Sequence, residues 1–193
     1  MRRASSVAIL VSLTSYTAWA QTAHLSSEQI VAAIAEGSKS KQPLVATAGK
    51  DTTNDFIIAI RGPYGRVVSF AADQALKYQT ITAHEVPHDL TGLYLDVVAT
   101  PGRPAAGATT ATPPATQLTL RRRGDKKHLE PMKVESFRVE WDTKAGAKLQ
   151  SQGLRARFDL STVPPTGDLE VVVVTKEFER VYTFTENDRA KMK

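Results

Sequence analysis

Residues 154–160 read Leu-Arg-Ala-Arg-Phe-Asp-Leu, and residues 169–175 read Leu-Glu-Val-Val-Val-Val-Thr. In the first stretch Leu154, Ala156, Phe158 and Leu160 alternate with Arg155, Arg157 and Asp159, the period-two signature of a strand with one buried face. The second is a nearly continuous apolar run bounded by turn residues, which predicts a central strand buried on both faces. Working outward, the same period recurs. Phe56, Ile58 and Ile60 alternate with Ile57, Ala59 and Arg61, and strands are also predicted at Leu93–Ala99, Gln117–Arg122 and Arg180–Thr185. Phe137-Arg138-Val139-Glu140-Trp141 alternates with the aromatics expected inward and the charges outward. Gly62-Pro63-Tyr64-Gly65 supplies turn chemistry, so Arg66–Phe70 is read as a strand returning from it, and Ala71–Tyr78 as a short helical stretch.

One helix is expected in front of these strands. Ser26 can cap it, Gln29 can bond back, Leu25 can staple onto Ile30, and Gly37 is the expected stop. Glu186–Lys193 is read as one helical turn. About eight short strands with Pro/Gly turns predict a mainly β chain, an antiparallel β-sandwich preceded by a short α-helix. The competing fold is an α+β sheet with its helices on one face. No internal repeat is evident, which argues against a propeller or solenoid.

The chain has 193 residues, a formal net charge of +5 and no cysteine. That excludes a disulfide scaffold, a thiolate zinc site and a cysteine nucleophile. Apolar residues are 41% and charged residues 23%, values of an ordinary globular chain rather than a disordered one. Arg2 and Arg3, the apolar run Val7–Leu13 and the small-x-small Ala18-Trp19-Ala20 read as a signal peptide cut after Ala20. Residues 1–20 are then an address, and 21–193 a single β-rich domain with a mobile Pro/Ala/Thr loop at 101–115. The expected compartment is periplasmic or extracellular, in the generic layout of exported bacterial proteins, and no later stretch is long enough for a transmembrane helix. Cleavage leaves a net charge of +3. Residues 21–115 hold 7 Lys/Arg against 8 Asp/Glu, and residues 116–193 hold 16 against 12, so the basic character lies in the second half.

Three motifs carry candidate chemistry. His84-Glu85-Val86-Pro87-His88 is a literal H-E-x-x-H string and resembles the zinc-peptidase motif over those five residues. Pro87 stands inside what must be helix, where it removes an N–H and clashes with the preceding turn at about 3 kcal/mol. In extended chain the two histidines lie about 13 Å apart, too far for one zinc. Arg121, Arg122, Arg123, Lys126 and Lys127 crowd one predicted hairpin tip, a candidate anion-binding patch for an anionic envelope polymer or lipid surface. Nucleic acid is not the expected partner, because export removes it and no interleaved aromatics accompany the patch. Arg123-Gly124-Asp125 within the tip matches an adhesive tripeptide, though Gly-Asp is also ordinary turn chemistry. No nucleophile elbow or phosphate loop is present. The leading expectation is an exported, non-catalytic binding or structural module of the cell envelope, with no cofactor and no catalytic or metal-binding residues. The alternative is a secreted hydrolase, metal-dependent through the His84–His88 string.

Overall fold

The capping box at Ser26 forms: its hydroxyl accepts from Gln29 N–H at 3.2 Å, and the Gln29 side chain accepts from Ser26 N–H at 2.9 Å. In this computed structural model, which describes residues 24–142, 148–190 and Met192, the cap opens helix α1, Ser27–Ser40. The signal-peptide reading lies outside the described residues. The helix runs past Gly37, the expected stop, and ends at Lys41 in the left-handed conformation. Gly37 is instead a contact point. A Cβ there would stand 2.2 Å from the Val68 carbonyl oxygen and 2.8 Å from Ala71 Cβ.

The partner in that contact is helix α2, Pro63–Leu76, which corrects the strand expected at Arg66–Phe70. Gly62 and Pro63 do not turn the chain into a hairpin. Gly62 is the N-cap and Pro63 occupies the first turn, where its fixed φ suits a helix and its missing N–H costs nothing. Val67, Val68, Ala71 and Ala72 then recur at helical spacing and are buried. The β-preference of Val-Val-Ser-Phe loses to this burial.

The rest of the described chain is mainly β, in two antiparallel sheets. One has the order β1 (Ala46–Gly49), β2 (Phe56–Arg61), β3 (Tyr94–Pro101), β6 (Lys148–Asp159) and β5 (Lys133–Asp142). The other has β4 (Ala115–Arg122), β7 (Leu169–Thr175) and β8 (Glu179–Phe184). Strand β1 was not expected. It is short and pairs only with β2, so it has little pattern of its own. Residues of both sheets share one buried apolar cluster. Phe56, Ile58, Ile60, Leu95, Val97 and Phe158 belong to the first sheet, and Leu118, Leu120, Leu169, Val171, Val173 and Phe184 to the second. Burying each such side chain contributes about 1.5–3 kcal/mol, against the entropy of ordering it. As expected, β7 is the central strand of its sheet and is buried almost throughout.

Strand β5 departs from expectation. Phe137 and Trp141 are half-buried and lie outside the core. In the register Phe137 stands opposite Gly153 and Glu135 opposite Arg155, so Phe137 shares the outward face with the β6 arginines. The Phe137 ring occupies the space a Cβ of Gly153 would need, 2.4 Å from Cζ. The alternation was read correctly but assigned to the wrong face.

The Pro/Ala/Thr connector crosses from β3 to β4 and is fastened at several points. Thr112, buried, accepts from Asn54 N–H and donates to the Gly102 carbonyl, both at 3.1 Å. Ser151 donates to the Thr112 carbonyl at 2.6 Å, and Arg103 N–H donates to Asp51 at 2.6 Å. The last helix, α3 (Glu186–Ala190), follows β8 directly, in line with the expected C-terminal turn.

Candidate functional site

The basic tip follows from the end of β4. Gly124 adopts φ +86°, which a side chain would resist, and Asp125 N–H donates to the Arg122 carbonyl at 3.0 Å. The chain then returns so that Leu129 and Leu120 exchange backbone hydrogen bonds of 2.7 and 3.3 Å. This places Arg121, Arg122, Arg123, Lys126 and Lys127 around one turn. It is not the expected hairpin tip, because β4 pairs with β7 and the next strand, β5, pairs with β6 in the other sheet. The five cations stand in different electrostatic situations.

Arg121 is opposite Glu170 in the register and meets its carboxylate at 2.6 Å. Its Nη1 also reaches His128 Nε2 at 3.4 Å, while His128 Nδ1 lies 2.8 Å from Thr119 Oγ1. A guanidinium only donates, so a neutral His128 in this pair carries its proton on Nδ1 and gives it to Thr119. Arg123 meets Asp168 at 3.1 Å, and its N–H donates to the Asp168 carbonyl at 3.0 Å. The arginine of the Arg-Gly-Asp tripeptide is therefore tied to the neighbouring strand. Arg122, Lys126 and Lys127 are exposed, and their side chains make no ion pair or hydrogen bond among the described residues.

The His84–His88 string does not form the zinc-peptidase geometry. His84 lies in a 3-10 turn at Ala83–Glu85 and His88 opens another at His88–Thr91. Val86, with φ −70° and ψ 121°, and Pro87 separate them in extended backbone, the effect a proline imposes on its predecessor. The Glu85 carboxylate is occupied as a cap, accepting from Thr82 N–H at 2.7 Å and Thr82 Oγ1 at 2.8 Å. Those two bonds hold its pKa below the ordinary carboxylate value. The His88 ring sits 5.8 Å from that of His24. No three His, Asp or Glu side chains are grouped to hold a metal among the described residues.

Sequence reasoning missed a second charged region, on the outward face of the five-stranded sheet. Tyr94 is placed between two guanidiniums, Arg66 at 3.6 Å and Arg157 at 4.6 Å from its ring centre. Arg66, on α2, is buried and donates to three carbonyls: Leu90 at 3.0 Å, and Tyr94 and Gly92 at 2.5 Å each. Burial pushes its pKa down to about 10, so it stays charged at neutral pH. It fastens the helices to the loop that enters β3.

Two carboxylates occupy the β6 arginines. Asp96, fully buried, takes two bonds from Arg155 at 2.7 and 2.9 Å. Asp89 takes two from Arg157 at 2.8 Å each. The bond from Arg157 is the main reason the Asp89 carboxyl sits below its ordinary value, and each arginine is raised first by its carboxylate partner. Arg61, at the end of β2, stands beside Asp96 in the register, yet it makes no hydrogen bond or ion pair among the described residues. Its Nε is removed from solvent without an acceptor. The alternation of Leu154–Asp159 already put Arg155 and Arg157 on one side. The adjacency of β2, β3 and β6, which adds Arg61 and Asp96, is not written in any local pattern. The chain matches no protein-family model, no curated protein and no solved structure.

Proposed function

We propose that residues 21–193 form an exported, non-catalytic β-sandwich domain that binds an anionic polymer of the cell envelope through the tip at Arg121–Lys127. The observation that carries this reading is the division of the tip. Arg121 and Arg123 are held by Glu170 and Asp168, whereas Arg122, Lys126 and Lys127 are exposed and uncompensated. The two pairs brace the turn, and the three other cations are exposed with no carboxylate that a ligand would have to displace. Such a patch attracts an extended anion by charge rather than by shape, with an attraction that falls over a Debye length of about 8 Å at physiological salt. The bland alternative is that these cations only keep the turn soluble and blunt a sheet edge. The sandwich assignment is supported by the apolar cluster common to the two sheets. Export is supported by Arg2, Arg3, Val7–Leu13 and Ala18-Trp19-Ala20.

The test is retention on heparin at low salt, with anionic vesicles as a second arm. Replacing Arg122, Lys126 and Lys127 together with Ser should lower the eluting salt concentration well below that of the wild type. Replacing Arg123 alone should do less, because it lowers the charge of the tip by one instead of three. Retention on heparin that is unchanged by the triple substitution overturns the proposal. Binding to vesicles but not heparin replaces the polymer with a lipid surface.

A further inference from the structure

A groove crosses the outward face of the five-stranded sheet beside Arg61. Its floor is Val98 and the Phe137 ring, and Thr100 contributes a hydroxyl group to its lining. Arg61 stands at the β2 end, with Arg155 and Glu135 on the far side. Three strand spacings separate β2 from β5, about 14 Å. The groove therefore has room for a small elongated molecule and a mixed polar and apolar surface to receive it.

The charges lining it are unequally satisfied. Arg155 is bonded twice to Asp96, and Asp96 is buried beneath it. Glu135 is paired with Lys133 at 2.6 Å. Arg61 has no partner among the described residues, and its Nε is buried without an acceptor. The Arg61 charge is therefore uncompensated among the described residues, and an anion that meets its terminal amino groups supplies the missing partner.

We propose that this groove binds a small organic monocarboxylate with an apolar body, the carboxylate on Arg61 and the body over Val98 and Phe137. A planar carboxylate can take two parallel hydrogen bonds from the terminal amino groups of the Arg61 guanidinium, the edge that does not need the enclosed Nε. One negative charge matches one uncompensated cation. A dianion such as a phosphate monoester would add a second charge that faces Glu135 and the Asp96 carboxylate without a cation to meet it. Val98 lies on β3, one strand from Arg61, and Phe137 on β5, three strands away, so the apolar body of the ligand points from the guanidinium across the sheet. This site is separate from the basic tip and does not rest on the tip's function.

The probe is 3-phenylpropionate, titrated into the full chain and followed by proton–nitrogen NMR at the Arg61 Nε–H and the Phe137 amide. Saturable shifts at both positions are expected. The neutral analogue 3-phenylpropan-1-ol should bind at least about tenfold more weakly, as should acetate, which lacks the body. Arg61→Gln should weaken binding of 3-phenylpropionate by about tenfold or more, and Arg61→Lys, which keeps the charge but not the fork, should fall between. The triple Ser variant of the tip should bind 3-phenylpropionate as the wild type does, so a failure here and a failure of the tip are read separately. The proposal is overturned by no saturable shift up to about 10 mM, by an alcohol that binds as well as the acid, or by a folded Arg61→Gln chain with unchanged affinity. The comparison of acid with alcohol uses the wild-type chain and decides the matter even if Arg61→Gln does not fold.

Discussion

Between α1 and α2 the contact is made by small residues: Ala33 and Gly37 on one helix, Ala71 and Ala72 on the other, with Val67 and Val68 beside them. Between the two sheets it is made by large ones, Phe56, Phe158, Phe184, Ile58, Ile60, Leu118 and Leu120. The helical pair has its own buried cluster of Leu25, Ala33, Val67, Val68 and Val86, distinct from that of the sheets. In the sheets, stabilisation comes from the apolar area of large side chains gathered in one common cluster. In the helical pair it comes from backbone proximity, which only glycine and alanine allow. Glycine in a helix costs about 1 kcal/mol in propensity, and Gly37 stands where that cost is outweighed by the close approach.

The regions also differ in their polar ties. Arg66 joins the helices to the β3 entry through three carbonyls, with no carboxylate involved. The sheets are joined by Tyr182, whose hydroxyl accepts from Phe56 N–H at 3.0 Å and donates to Asp55 at 2.5 Å. Burial first and the Asp55 bond second raise the pKa of that phenol. In both places one long side chain satisfies groups from another segment, so a loss of packing in one region need not release the other.

The largest way to break this comparison is Phe158→Ala. Phe158 is fully buried in the sheet cluster, and its truncation should cost about 3–5 kcal/mol of global stability, read as a lower denaturation midpoint in urea. A cost under about 1 kcal/mol would mean the cluster is not the main source of stability. The next is Gly37→Ala. By propensity alone it should stabilise α1, but its Cβ would meet the Val68 carbonyl oxygen, so we expect a loss of about 1–3 kcal/mol. Hydrogen exchange should quicken in residues 27–40 and 63–76 and stay unchanged in β7. Stabilisation, or equal quickening in β7, would remove the distinction between the two regions.

The smallest expected effect sharpens the junction between them. Asp89 lies in the loop fastened by Arg66, and its carboxyl is held below the unfolded value of 3.8 chiefly by the Arg157 bond. A carboxyl lowered in the folded state contributes stability above its unfolded pKa and loses it as pH falls through the folded one. The wild type should therefore melt slightly higher than Asp89→Asn at pH 6, and the difference should shrink as pH falls below the unfolded value and through the lowered folded one. Asp89 is 59% exposed, so the gap should stay under about 1 kcal/mol. A difference that persists unchanged in acid would assign the effect to packing instead of charge.

Seven of the eight strands among the described residues, β2 to β8, were legible because alternation and apolar runs are local, although the buried face of β5 was not. The helix start at Ser26 was legible for the same reason, since the capping box spans four residues. The basic tip could be read as a cluster because its residues are consecutive. That two of its five cations are paired could not, because Glu170 and Asp168 come from a strand far along the chain. The Arg66–Phe70 error has one cause. Gly-Pro-Tyr-Gly satisfies the rules for a turn and for a helix start equally, and the burial of Ala71 and Ala72 against Gly37 chose between them.

By itself, then, the sequence determined that the chain is mainly β, that a capped helix precedes the strands, and that Pro87 denies the His84–His88 string its helix. These follow from constraints that act within a few residues. Only the tertiary structure decided that Phe137 faces outward, that Gly37 is a contact and not a terminus, and that Arg61 lies in the groove shared with Arg155 while lacking a carboxylate of its own among the described residues. Those outcomes depend on which strands and helices become neighbours, which is set by the summed burial of the whole core and leaves no local trace in the sequence.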